Sequence, residues 1–257
     1  MACHVHHVPC FPPTGHGKPC PYVQKASNMY SPYDFNQTIA HRAEYVEERL
    51  KSGTPVVALS CAEGVLLATP KREQRKIFEI YDRLIYSALG NQADVEAVRL
   101  SAIDFAHQEG FVRAPADVSI QRLVGFAISP VLKRAFSDPS TAPHVLRAVF
   151  AEVGKTPQDD LFYILNYDGE FSIHHHFAAV SGNEDGQEKM QEALKDSDSH
   201  QDLETALKLA GKTLLAAISG EENGEENPLR QLLEKGELDA AILERDSQRE
   251  STFRRID

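Results

Sequence analysis

Long apolar runs are absent from this chain. No stretch of about 18 apolar residues occurs, so no membrane-crossing helix is expected. The first residues also lack the apolar core of a secretory signal. Cysteine is scarce. There are four in 257 residues, three within the first 20 and the fourth at Cys61, which is no disulfide framework. That usage fits a reducing, cytoplasmic setting. Positive charge is in deficit: 27 Lys and Arg against 38 Asp and Glu give a formal net charge of −11. A general nucleic-acid-binding surface is therefore not expected.

Metal-ligand spacing is missing too. Residues 1–28 hold Cys3, Cys10, Cys20, His4, His6, His7 and His16, but no CxxC pair and no ligand pair on a helix or hairpin. They have no hydrophobic periodicity and read as a disordered extension rather than a metal site. His174-His175-His176 lacks a nearby Cys or carboxylate cluster. In an extended segment His174 and His176 would share a face, with His175 opposite. The expectation is a strand edge, with no metal and no cofactor in the chain.

What remains is ordinary for a globular protein: 42% hydrophobic and 25% charged residues, enough chain for one large domain or two small ones. The organising stretch is Gly53–Gly90. Val56–Leu59 and Val65–Ala68 are short apolar runs around the turn Ala62-Glu63-Gly64, a hairpin with little exposed face. Ile77–Tyr81 and Leu84–Ala88 follow as strands around Asp82-Arg83.

Upstream, Thr38 is a credible N-cap for a helix ending at Gly53, with Ile39, Ala43, Val46 and Leu50 at helical spacing. Downstream, residues 92–109 form a helix closed by Gly110. A second helix opens at Pro115 and Asp117; its apolar residues surround it, and Pro130 should distort it. Strands are expected at Val145–Val153, Leu161–Tyr167 and Phe171–Ile173, the last two joined at Asp168-Gly169. Helices at Gln187–Asp196 and Leu203–Ile218 and a last strand at Leu238–Leu243 complete the order. Strands, two helices, strands, two helices, strand is a layered α+β pattern.

The pieces GTPVVAL, AEGVLLA, RKIFEIYDR and IYSALG resemble, in order and spacing, the start of a proteasome core subunit. RKIFEIYDR after a short connection is most similar to the alpha subunits of bacterial, actinobacterial-type proteasomes, and the similarity continues from about residue 29 to the C-terminus. The resemblance implies a four-layer αββα sandwich, the N-terminal-nucleophile hydrolase fold, over 53–245. It implies a gate segment and N-terminal helix over 29–52 and a flexible tail over 246–257. Met29 matches the family's usual beginning, so residues 1–28 are either an extension or a misassigned start.

The resemblance also implies a role. Alpha subunits form a seven-membered ring on the catalytic beta rings, gate substrate access and dock an AAA ATPase through its C-terminus. The gate would be Tyr30, Ser31, Pro32, Tyr33, Asp34 and Phe35. Lys76 would receive the ATPase's C-terminal carboxylate, an ammonium being a compact point charge suited to it. Gly90 would lie beside the same pocket.

Thr54 stands where a beta subunit has its nucleophile. An N-terminal threonine hydrolase needs a free α-amine as base, and hence cleavage before Thr54. The acidic partner expected near the end of the second strand is replaced by Pro70, and 70–76 is too short to supply the strand bearing the catalytic lysine. No catalytic residue is therefore expected. The alternatives are an active hydrolase self-cleaved before Thr54, or a stand-alone scaffold of the same fold.

Overall fold

The hairpin at the start of the domain has no exposed face because it is covered on both sides. The computed structural model describes residues 32–195, 197–218, 235, 237–249 and 251–256. Strands β1 (Val56–Cys61) and β2 (Gly64–Pro70) pair antiparallel, and every residue of both is buried. Successive side chains point to opposite faces of a strand. Val56 and Ala58 enter one apolar core, while Val57, Leu59 and Cys61 enter another. The same split occurs in β4 (Leu84–Gly90), where Ile85 and Leu89 face one core and Leu84, Tyr86 and Ala88 a third.

Two five-stranded antiparallel sheets result. With β3 (Ile77–Tyr81), β5 (Leu146–Glu152), β6 (Leu161–Asn166), β7 (Phe171–His174), β8 (Phe177–Val180), β9 (Leu238–Glu244) and β10 (Phe253–Ile256), the orders are β10-β9-β2-β1-β8 and β3-β4-β5-β6-β7. The middle core lies between the sheets. Helix α2 (Gln92–Val112), the single turn α3 (Ile120–Arg122) and α4 (Ser129–Ser137) cover the second sheet. Helices α5 (Glu184–Leu194) and α6 (Leu203–Ile218) cover the first. This is the four-layer αββα sandwich. Helix α1 (Pro32–Leu50) closes one end of the middle core with Val46 and Leu50.

Several boundaries differ from the sequence reading, each for a local reason. Helix α1 starts at Pro32, so Thr38 is interior rather than an N-cap. Proline suits a first helical position, where its missing N–H costs nothing. Helix α2 runs through Gly110 to Val112. Gly110 is there for packing: a Cβ would sit 2.3 Å from the Tyr81 hydroxyl. Helix α5 begins at Glu184, because the Asn183 side chain accepts from the Gly186 N–H at 2.7 Å.

Pro130 does distort its helix. The turns before it, Leu123–Ile128, widen to π geometry, with the Ser129 N–H donating to Val124 five residues back. That spacing makes room for a ring that would otherwise clash with the preceding carbonyls. The apolar residues that surround this helix are not all covered, since Phe126 and Val131 are 72% and 58% exposed.

The tail is not wholly free. Phe253–Ile256 pairs with β9 from Phe253↔Leu243 to Ile256↔Ala240 and forms the sheet edge. Leu238–Glu244 is thus not the last strand. The histidine run is split as well: His174 ends β7, and His176 has a left-handed φ of 70°, so the three rings follow no simple alternation. Among the described residues no group of three His, Cys, Asp or Glu could hold a metal ion. The Cys/His segment 1–28 lies outside the described residues.

Candidate functional site

The antiparallel registers carry the start of β1, the end of β2, the start of β3, the end of β4 and the starts of β5 and β9 to one end of the sandwich. Helix α1 closes that end. Thr54 therefore shares it with Lys76 and Gly90, the pair that the sequence reading gave to one pocket.

Thr54 is fully buried just before β1. Its Oγ1 has no hydrogen-bond partner among the described residues. The preceding backbone is continuous with α1, where the Gly53 N–H donates to the Leu50 carbonyl at 2.7 Å. Helix α1 itself is tied into the body. Arg42 donates to the carbonyls of Ala135 and Phe136, both at 2.9 Å, and of Thr141 at 2.7 Å. The first two are carbonyls that the end of α4 leaves without helical partners. Glu47 pairs with Arg147 at 3.0 Å, and Arg147 also reaches the Ser181 carbonyl. A chain beginning at Thr54 would lose Val46 and Leu50 from the core and leave Arg147 without its carboxylate.

Lys76 and Gly90 line one cleft of about 740 Å³, together with Lys71, Arg72, Gln92 and Glu237. Burial, with the Arg72 guanidinium second, pulls the Lys76 ammonium down to about 8. The cleft thus offers cationic groups with Lys76 only partly solvated, a setting that favours an incoming carboxylate over water. Gly90 lies on its wall, but the need for glycine comes from the sheet. At φ 132°, a Cβ would meet the Val145 carbonyl oxygen at 2.1 Å, where β5 crosses.

Residues 71–75 arch between β2 and β3, held at both ends on the start of β9. The Lys71 N–H donates to the Glu237 carbonyl at 3.0 Å, and the Lys76 N–H to Asp239 Oδ2 at 3.3 Å. Glu237 and Asp239 were not singled out by sequence. They lie some 160 residues from Lys76, and only the β2–β9 pairing brings them there.

Of the residues expected to form a gate, Pro32 to Phe35 make the first turn of α1, with Phe35 exposed. Tyr30 and Ser31 lie outside the described residues.

At the opposite end a buried clamp joins the sheets. Arg245 forks onto Asp160 at 2.8 and 2.9 Å, and Ser60 and the Gly154 N–H complete the carboxylate's partners. Each charge is matched, which is a structural arrangement. Cys61 beside it is buried, its thiol pushed up to about 11 by burial. A neutral, enclosed thiol is a poor nucleophile.

The outer face of the α2–α4 layer is a second candidate surface. Leu100, Phe111, Val112, Phe126 and Val131 are exposed on it, Phe111 at 91%. A dent of about 190 Å³ between α2 and α4 is lined by Ala97, Val98, Ala127, Val131 and Leu132.

Comparison with known proteins gives a family. The family model described as proteasome subunit matches residues 50–228. A protein named proteasome subunit alpha from Actinosynnema mirum is 34% identical over 223 residues, covering 86% of this chain and 81% of the relative. One of the same name from Streptomyces scabiei is 32% identical over 225 residues, with 86% and 85% covered. Another, from a Parafrankia species, is 31% identical over 224 residues, with 86% and 88% covered.

Proposed function

This chain belongs to the proteasome subunit family, resembling actinobacterial alpha subunits along most of its length, and from that premise we propose that it is the non-catalytic alpha subunit of a bacterial proteasome core. It forms an outer heptameric ring, gates the access of substrates with residues 30–35, and docks an activating AAA ATPase. Peptide hydrolysis is left to the beta subunits on which the ring stacks, in a cytoplasmic particle.

The observation that carries this reading is helix α1. It precedes Thr54, where a hydrolase subunit would begin, and it is built into the body through Val46, Leu50, Arg42 and Glu47. Thr54 then lacks the free amine its activation needs, and its hydroxyl is sealed from substrate. Two further features support the reading. The Lys76 cleft shares an end of the sandwich with α1, so ATPase docking and gating fall on one face. The exposed apolar face of α2 and α4 supplies a surface for the beta ring.

The test is intact mass together with native mass on the full chain co-expressed with its beta subunit. An uncleaved chain within a stacked-ring complex is expected, and Thr54→Val should leave the particle's peptidase activity unchanged. A chain starting at Thr54 with peptidase activity when expressed alone would establish the hydrolase instead. Failure to join any beta subunit would establish the stand-alone scaffold.

A further inference from the structure

Strand β10 meets the docking cleft from behind. Arg255, the third residue of the strand, forks between two acceptors: Nη1 lies 3.3 Å from Asp239 Oδ1, and Nη2 donates to the Ile77 carbonyl at 2.8 Å. The other oxygen of the same carboxylate accepts from the Lys76 N–H. One guanidinium and one carboxylate therefore hold the peptide unit before Lys76 and the one after Ile77. The Arg255 guanidinium is itself held over the Phe253 ring, 5.4 Å from its centroid. Asp239 and Arg255 are mostly buried, at 14% and 22% side-chain exposure. In that setting a charge-assisted contact is screened less than on an open surface.

This arrangement does something the rest of the arch does not. Residues 71–75 are all exposed and form no part of a strand or helix. Lys76 is where the arch rejoins the sheet, so its side chain inherits whatever freedom the arch has. The backbone bond to Asp239 removes that freedom, and Arg255 removes the freedom of Asp239. Lys cannot substitute for Arg255, since one ammonium cannot span two acceptors in a fixed fork.

We propose that Arg255 and Asp239 are positioning residues for Lys76, and that the pairing of β10 with β9 couples this edge of the sheet to the competence of the docking cleft. The proposal rests on the reading of Lys76 as the carboxylate receptor. By linkage, a ligand that requires the ordered Lys76 stabilises β10 pairing, and release of β10 weakens the ligand by the same factor. Any partner that binds β10 or strips it from β9 would thereby turn docking down without touching the cleft.

The test compares Arg255→Ala, Arg255→Lys, Asp239→Asn and Arg254→Ala in the full chain. Arg254 is a control on the same strand: it pairs with Glu244 and makes no contact with Asp239 among those described. The first readout needs no ligand. The Lys76 ammonium is titrated by NMR of reductively 13C-methylated protein, assigned with Lys76→Arg. The groups that share its surroundings are Lys71, Arg72 and Glu73 on the arch, Glu237 just before β9, Asp239 on β9, and Arg255 on β10.

Loosening the arch should return the titration of Lys76 toward that of a solvated lysine in Arg255→Ala, Arg255→Lys and Asp239→Asn, and leave it unmoved in Arg254→Ala. The second readout is affinity for a fluorescent hexapeptide ending in a free carboxylate, against its amidated twin. Arg255→Ala should weaken the carboxylate form about tenfold and leave the twin unaffected. If Lys76 titrates identically in the wild type and the three positioning variants, or moves as far in Arg254→Ala, the proposal is overturned. If the native protein and Lys76→Ala bind both peptides alike, it is the docking reading that fails, while the titration still decides the positioning.

Discussion

Lys76 combines two properties that pull against each other. On the proposed reading it must be charged when a carboxylate arrives, yet burial and Arg72 bring its titration down to about 8. Arg72 keeps its charge at any physiological pH, so a carboxylate held by Lys76 has a pH signature that one held by Arg72 lacks. The protonated fraction of a group titrating near 8 falls from about nine-tenths at pH 7 to one-tenth at pH 9. Affinity for a free-carboxylate peptide should therefore drop roughly tenfold across that interval, with the amidated peptide unaffected. Fluorescence anisotropy at several pH values checks this, and a flat profile would remove Lys76 from the contact. The same burial has a sign for stability. The unfolded lysine titrates near 10.4 and the folded one near 8, so the unfolded chain binds more protons between those values. The cost of burying the ammonium is thus fully present below pH 8 and is relieved as pH rises toward 10.4. Lys76→Met should raise the urea midpoint at pH 7 and lose that advantage above pH 10, a trade of function against stability.

At the scale of elements, α1 and α4 hold one another. Arg42 donates to three carbonyls at and beyond the end of α4, and its guanidinium lies 5.8 Å from the Phe136 ring centroid. A cation at a helix C-terminus answers both the unpaired carbonyls and the dipole. Arg42→Ala should cost about 2 kcal/mol, read as a lower denaturant midpoint at unchanged slope. A slope change would mean instead that α1 unfolds separately. The sequence showed α1 through its apolar spacing, but not where it starts, because Thr38 and Pro32 are both acceptable openings. The two-sided strands were legible because continuous apolar runs between turn signals admit few other readings. Strand β10 was not: Phe-Arg-Arg-Ile has no apolar alternation, and its place depends on a free edge of β9 that local pattern cannot reveal. The cleft was half legible for the same reason. Lys76 and Gly90 belong to one local motif, whereas Glu237, Asp239 and Arg255 arrive through sheet pairing over long sequence distances.

At the scale of the whole molecule, the sandwich carries surfaces of unlike character. One end carries α1 and the cationic cleft, while the outer face of α2 and α4 carries Phe111, Phe126 and Val131 in the open. An isolated domain gains nothing from such exposure; it is a liability for solubility unless another surface covers it. Phe126 lies within the π turn and outside the core, with the Arg122 guanidinium 5.9 Å from its ring centroid. If this face meets the beta ring, a charge placed on it must be desolvated on assembly but not on folding. Phe126→Asp with Val131→Asp should leave far-UV circular dichroism and the urea midpoint of the separate subunit near wild type. In native mass spectrometry of the co-expressed proteins, the same pair should abolish stacked rings. Alpha-only rings should survive, because the strand edges and α1 end are untouched. Intact stacks in the double variant would move the beta contact elsewhere, and loss of alpha-only rings as well would show that this helical face joins neighbours within the ring.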